Sequence, residues 1–504
     1  MLEAGKQSAI SFFKGKNVVT WFWYVSLCIM SATPIIDSDF FWHIKVGEHI
    51  VNTRAIPLFD MFSYHEGLYY FAHEWLFDVL LFGIWKTGGF LGIQLFVGVI
   101  FLGIICLLHF IIFQRTRNWL VSVFLTSYST ILLSKAFIVP RPQIISFLLA
   151  LIILWYLERN NILTGRVKYG RRFLIKGAII LSFIAILWVN VHGGSYPLLF
   201  ILLGITGLDA ISALLEKPSI STRNWLLCLL VFGFFSLASV SLNPYFFKMY
   251  TFPFVLTGDV ATYHIMEWQN YEFRGLAGYA MALLLMMPFL SIILSGRQPK
   301  VRDLLGIMLF TSMGLQSQRH LGLVILFNTI FMAEYFSDRI SAALENIVHM
   351  ATQAIRKFMV TGIVLVAVLS MILWNHLSEF KLVDTSTYPV AALQFIEDSG
   401  IDVHSVRMLN DYNWGGYLIF RDYPVFIDGR ADIYQRKTNP STTLLEDYYK
   451  IVHLYQVDEL LEKYDIQYVL IESGTKLDWY LESSPHWKLE FEDDDEGSAL
   501  FTRL

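Results

Sequence analysis

The sequence predicts a polytopic α-helical membrane protein with about eleven transmembrane helices and a juxtamembrane helix in the first outer loop, followed by a C-terminal soluble α/β domain. Three observations carry this reading. The 504 residues are 55% hydrophobic and only 16% charged, with a mean hydropathy of +0.51, where soluble chains carry about a quarter charged residues. Long runs such as residues 90–113 have no formal charge and enough length to cross a bilayer. The charge is also divided unevenly: residues 1–376 hold 27 Lys and Arg against 18 Asp and Glu, whereas residues 377–504 hold 11 against 24. The net charge of −4 therefore separates into a membrane domain at +9 and a domain at −13. An ordinary soluble enzyme is excluded.

Apolar runs place crossings near residues 18–36, 90–113, 119–138, 142–157, 174–191, 194–214, 225–242, 276–295, 303–317, 321–336 and 358–376. The first lacks a small-residue cleavage site and reads as a retained helix. Residues 74–86 are short and contain Asp78, so they are assigned to a juxtamembrane helix. With that choice, 19 basic residues of the membrane domain fall on the cytoplasmic side and eight on the outer side, which orients the N-terminus inward and the C-terminal domain outward. The helices around 303–336 are short and also fit a re-entrant pair turning at Arg319 and His320. Cys28, Cys106 and Cys228 all lie in apolar runs, so no disulfide framework is implied.

From residue 377 onward, helix-like stretches at 388–398, 414–421, 456–464 and 477–483 alternate with strand-like runs at 404–409, 424–428, 467–472, 487–492 and 498–502. This predicts a small sheet sandwiched by helices. No Gly-rich dinucleotide fingerprint or phosphate loop is present, and nothing points to a nucleic acid partner.

Under this topology the uncommon polar residues collect on the outer side: Asp37 and Asp39 after the first helix, then His43, Glu48, His49, His73 and Glu74. Arg141 follows between two prolines, then His192 with two glycines, Asn243-Pro244-Tyr245, Glu267, Arg319 and His320. Singly, each could be an interfacial anchor. Together, at the ends of different helices, they predict a polar cavity at the membrane surface, where ionisable groups are expensive unless functional. Asp37-Ser38-Asp39 stands out, since Ser38 and Asp39 also suit a helix start, and Asp39 and His43 share a face if the next segment is helical.

The acidic pair ending the first helix, the long outer loop and the outward C-terminal domain resemble the GT-C superfamily of integral membrane glycosyltransferases. That group includes oligosaccharyltransferase catalytic subunits and protein mannosyltransferases. The stretches DSDFFWHIKVGEHIVNTRAIPLFDMFSYHEGLYYFAHEWL at 37–76, VPRPQ at 139–143, WVNVHGG at 188–194 and NDYNWGGYLIFRDYPVFIDGRADIY at 410–434 are similar to bacterial members. The resemblance implies transfer of a sugar from a polyprenyl-phosphate-linked donor to a glycan, lipid or protein acceptor at the outer face of a membrane, here a bacterial inner membrane. It assigns Asp37 and Asp39 to catalysis, and His43, His73, Glu74, Arg141, His192, Arg319 and His320 to the donor phosphate and substrate. Asp411, Trp414, Tyr417, Asp428 and Arg430 fall on the acceptor side, in an order that departs from the Trp-Trp-Asp-Tyr-Gly acceptor motif of oligosaccharyltransferases. Arg141 stands where those enzymes place further acidic metal ligands. The expectation is therefore no cofactor, with Asp39 and Glu267 as the positions for a divalent cation, Mg or Mn, in the alternative. A flippase for lipid-linked sugars would use the same cavity but calls for polar residues through the membrane, and a scaffold would use the −13 surface.

Overall fold

Apolar segments long enough to satisfy their own backbone become helices, and these dominate the computed structural model. It describes residues 16–134, 137–166, 170–254, 261–335 and 385–504, with the isolated positions 346, 371, 372 and 383. Among the described residues the helices run α1 (Lys16–Met30), α2 (Asp39–Thr53), α3 (Trp75–Thr116), α4 (Trp119–Ser134), α5 (Gln143–Arg159), α6 (Arg171–Val191), α7 (Pro197–Glu216) and α8 (Ile220–Val240). After a loop of short turns come α9 (Gly275–Ser295), α10 (Val301–Gln316) and α11 (Leu321–Tyr335).

Five of these, α3, α6, α7, α8 and α9, are long and apolar enough to cross a membrane. The crossings expected at 18–36, 119–138, 142–157, 303–317 and 321–336 are helices of 15 to 17 residues. The one at 358–376 lies outside the described residues. The first stops at Met30, and Thr33, Pro34 and Ile35 continue without helix; Ile35 bridges Val383. The α11 helix is buried along nearly its whole length, with Phe327 stacked on Phe310 of α10 at 4.4 Å.

Within α3, Gly89 has φ 56° and ψ −153°, outside helical space. A residue with a Cβ rarely takes such a backbone. The break falls between the stretch read as juxtamembrane and the long crossing. The first half packs on α2 so closely that a Cβ on Gly47 would overlap the backbone of Asp78.

The C-terminal segment holds α12 (Val390–Asp398), α13 (Gly415–Phe420), α14 (Leu444–Val452), α15 (Val457–Lys463) and α16 (Lys476–Ser483). Its four strands are β1 (Met408–Asn410), β2 (Tyr468–Glu472), β3 (Trp487–Asp493) and β4 (Ser498–Arg503), in sheet order β1-β2-β4-β3. The pair β1–β2 is parallel and the others antiparallel. Two expectations are corrected. The strand predicted over 424–428 does not form, because its backbone is engaged elsewhere: Phe426 N–H donates to Asn410 Oδ1 at 2.8 Å, and Val425 N–H donates to the Phe62 carbonyl at 3.2 Å. Helix α14 was not predicted, and strand β1 keeps only the end of the run 404–409.

That engaged stretch fastens the C-terminal segment to the loop between α2 and α3. Val425 bridges Ser63, and the Asn439 side chain exchanges hydrogen bonds with the Tyr69 backbone at 2.8 and 3.1 Å. Phe41 of α2 sits edge-on to Tyr388 and Tyr417, with centroids at 5.3 and 5.2 Å. A Cβ on Gly416 would overlap the carbonyl of Ser38, so the Gly-Gly pair that opens α13 brings that helix against the backbone of the acidic pair.

Candidate active site

Beneath this junction lies a cavity of about 350 Å³, within the range of small-molecule sites. Its walls come from the start of α2, the loop before α3, the loop before α5, the end of α6, the turns around Glu267 and Arg319, and the C-terminal residues Tyr412 and Gly429 to Asp432. Side chains far apart in sequence therefore meet at one end of the helices.

One pole is built around Arg141. Its guanidinium binds Asp37 through Nη2 at 2.7 Å and through Nε, meets Asp39 Oδ2 at 3.0 Å, and reaches Glu267 Oε2 at 3.1 Å. Glu267 turns its other oxygen to Arg319 Nη1 at 3.0 Å, and Arg319 lies over the Trp268 ring. Three carboxylates and two guanidinium groups thus form one connected cluster. Asp39 is held further by the Trp42 indole at 3.1 Å, while its own N–H donates to Asp37 Oδ1 at 3.1 Å. Asp37 is therefore both a turn former at the start of α2 and an ion-pair partner; Ser38 makes no side-chain cap. Gly429 lies so near Asp39 that a Cβ would strike its carboxylate.

Burial raises the Asp39 carboxyl to about 6, against the pull of Arg141. Glu267 moves the other way, since Arg319 and Arg141 outweigh its burial and hold it below the usual carboxylate range. This donor set does not fit a divalent cation. The place between Asp37, Asp39 and Glu267 is filled by a guanidinium, and among the described residues no three His, Cys, Asp or Glu side chains converge as a metal site requires.

The second pole is ringed by histidines. Glu74 lies 3.5 Å from His192 Nε2, 3.6 Å from His73 Nδ1 and 3.8 Å from His43 Nε2. His43, one turn after Asp39, holds Asp78 Oδ1 at 2.5 Å through Nδ1. Burial raises Glu74 to about 8, and it lowers His73 to about 3 and His192 well below its usual range, Arg319 adding to both. His320 lines the cavity between the poles.

Two carboxyls of this cavity thus keep their protons in the fold, Glu74 to about 8 and Asp432, buried nearby, to about 7. In the unfolded chain both ionise near 4, so folding takes up protons and the stability they contribute fades as pH rises through 7 and 8. The buried histidines act oppositely, but their contribution is complete above about pH 6.5. Thermal unfolding of the purified protein is therefore expected at a lower temperature at pH 8.5 than at pH 6.5; an equal or higher midpoint would contradict the buried, protonated carboxyls.

Of the residues singled out in the sequence, Asp39, His43, His73, Glu74, Arg141, His192, Glu267, Arg319, His320 and Arg430 line the cavity, and Asp37 touches it through Arg141. Four of the five acceptor-side residues lie outside its wall. Asp411 accepts from Asn413 N–H at the turn before α13, the Trp414 indole donates to the Thr387 carbonyl, Tyr417 stacks on Tyr388, and Asp428 is fully buried against Arg430. Glu48 pairs with Lys45, away from the cavity. Sequence reasoning missed Tyr412, Asp432 and Ser146 in the wall. Asp432 stood within the quoted 410–434 stretch, two residues after Arg430.

No protein-family model and no curated protein sequence matches this chain. Solved structures do. The oligosaccharyltransferase of Archaeoglobus fulgidus tethered to an acceptor peptide containing the NVT sequon aligns over 92% of this chain and 69% of its own, with a TM-score of 0.58 at 11% identity. Its apo form aligns over 92% and 70%, with a TM-score of 0.56 at 10% identity. The GT-C resemblance drawn from the sequence is thus met in the architecture: this chain has the fold of an oligosaccharyltransferase.

Proposed function

We propose that this protein transfers a sugar from a polyprenyl-phosphate-linked donor to an acceptor at the outer face of a membrane. The observation that carries the reading is the ion-pair cluster of Arg141, Arg319, Asp37, Asp39 and Glu267 in a cavity at the end of apolar helices. Glycosyl transfer breaks the bond from the anomeric carbon to phosphate. Negative charge grows on the leaving oxygen and positive charge on the sugar ring. Fixed charges aimed at both are the strongest help a site can give. Arg141 and Arg319 meet the phosphate, since guanidinium forks match its oxygens; Asp37 and Asp39 face the developing oxocarbenium carbon. His43, His73, His192 and His320 complete the substrate wall.

The chain divides at about residue 376, and the part beyond it, outward-facing, closes the acceptor side through Tyr412 and Gly429 to Asp432. The lipid carrier lies along the apolar helices. Lipid-linked glycans extracted from cells with and without the protein test the reading. A polyprenyl-linked sugar accumulates in its absence and disappears when the intact chain is restored; an unchanged lipid-linked pool in both cells rejects the assignment.

A further inference from the structure

The two poles of the cavity differ in what they can do with a proton. Asp37, Asp39 and Glu267 all hold arginine, and a carboxylate committed to a guanidinium is a poor base. Glu74 has only imidazoles within ion-pair distance among the described residues. We infer that Glu74 is the base that takes the proton from the acceptor, and that the acceptor is a hydroxyl group. The inference rests on the glycosyl-transfer reading and adds the acceptor's chemical class to it.

Hydrogen bonds hold the neighbours of Glu74 in place. The Trp188 indole donates to Ser146 Oγ at 2.8 Å, and that oxygen is bonded to His192 Nδ1 at 2.7 Å. His192 Nε2 then lies 3.2 Å from Ser195 Oγ and 3.5 Å from Glu74 Oε1. On the other side His43 is bonded to Asp78 through Nδ1 and has Nε2 3.8 Å from Glu74 Oε2. Glu74 thus has an imidazole nitrogen beside each oxygen, one of them on a histidine joined to a buried carboxyl. Asp432 lines the same cavity, is 7% exposed, and has Oδ2 without a hydrogen-bond partner among the described residues. His73 Nδ1 likewise has none. Both are buried atoms whose hydrogen-bonding capacity is unused beside Glu74.

The charged and titratable groups that act on Glu74 are His43, Asp39 and Asp78 from the α2 and α3 side, His73 on its own loop, His192 at the end of α6, Arg141, Arg319 and Asp432. Burial outweighs the two arginines, so Glu74 exchanges its proton near 8, where a general base works well. The step balances. The bond from the anomeric carbon to phosphate oxygen breaks and its electron pair leaves with the polyprenyl phosphate. The acceptor oxygen forms the new bond to carbon, and its proton passes to Glu74 and on to water as product departs. An alcohol needs only this one proton removed. A carboxamide nitrogen must also give up its conjugation, for which this pole offers no device.

The test uses the full chain in liposomes with polyprenyl-phosphate-linked glucose, mannose and aminoarabinose as donors. The acceptors are a serine/threonine peptide, an alkyl glycoside and an asparagine-sequon peptide. A hydroxyl acceptor is expected to be glycosylated at a rate that rises with pH through about 8. Glu74→Gln should lower kcat about 10²- to 10⁴-fold, leave the donor KM close to wild type and abolish the pH dependence, while Glu74→Asp keeps a displaced one. Transfer to the asparagine peptide alone, or an unchanged rate and pH profile in Glu74→Gln, overturns the inference. Infrared spectra read the proton without turnover: the protonated-carboxyl absorption of wild type at pH 7 should be reduced in Glu74→Gln, leaving the part that belongs to other buried acids such as Asp432, and an absorption unchanged in that variant also overturns it. Should wild type consume none of the donors while the band behaves as expected, glycosyl transfer itself falls and takes the acceptor assignment with it. Where Glu74→Gln does not fold, Asp432→Asn is the second variant, expected to raise the acceptor KM more than it lowers kcat; wild-type kinetics there count against the pole.

Discussion

Arg141→Ala is expected to lower sugar transfer by about 10²- to 10³-fold, the cost of removing one fixed charge from a developing anion. Its loss also leaves Asp37, Asp39 and Glu267 facing one another with only Arg319 as a cation. Their mutual repulsion should spread the cluster, so donor binding weakens along with turnover. Arg141→Lys should recover only part of the activity, because an ammonium is a single point and cannot grip Asp37 through two nitrogens while meeting Asp39 and Glu267. Added guanidinium should partly rescue the alanine variant. Turnover and donor affinity equal to wild type in Arg141→Ala would remove this residue from the chemistry.

Arg430→Met is expected to destabilise the protein by about 3–5 kcal/mol, the cost of stripping the partner from a buried ion pair. Arg430 is 2% exposed. It binds Asp428 through Nε and Nη2 at 2.8 and 2.7 Å and Asp60 through Nη1 at 2.7 Å, between the rings of Phe62 and Tyr70. Burial alone would raise the Asp60 carboxyl, but Arg430 and Ser63 hold it below the ordinary range. In wild type this pairing therefore contributes stability that is lost as pH falls through the depressed folded value. Without the arginine, Asp60 is a buried acid with a raised value, and its contribution is lost as pH rises. The deficit of the variant should accordingly be largest near neutrality and shrink as pH falls toward about 4, where the unpaired Asp60 of the variant is protonated. Thermal unfolding across pH measures this, and a uniform deficit or none would contradict the account.

Much of the architecture could be read from residue order because helices in an apolar solvent are dictated locally. The long runs of α3, α6, α7, α8 and α9 announce themselves. So does the acidic pair at the start of α2, since Asp37 and Asp39 are costly anywhere near a membrane unless matched. The ion-pair cluster itself was not legible. Arg141 and Asp37 are 104 positions apart, and Arg141 and Glu267 are 126 apart; only packing brings them together. The strand expected at 424–428 failed for a related reason. Its β-branched and aromatic pattern was real, but Asn410 and Phe62 took its backbone groups. Asp432 passed unnoticed because in sequence it is one acid among 24 in the C-terminal part. Its meaning comes from its burial in the cavity wall with Oδ2 unpartnered among the described residues.

The pairing of Asp60 with Arg430 spans 370 positions, and that span sets an order of events. A membrane protein is threaded into the bilayer from its N-terminus while still being synthesised. The helices that position Asp39, Glu74 and Arg141 can pack long before residue 430 leaves the ribosome. Until the C-terminal segment arrives, the cavity has no wall at Gly429 to Asp432, and Asp60 has no counter-charge. The cavity is therefore closed in one late step, when the C-terminal segment folds down on the first loop. A chain interrupted before that point lacks this wall and leaves Asp60 unpaired with Arg430.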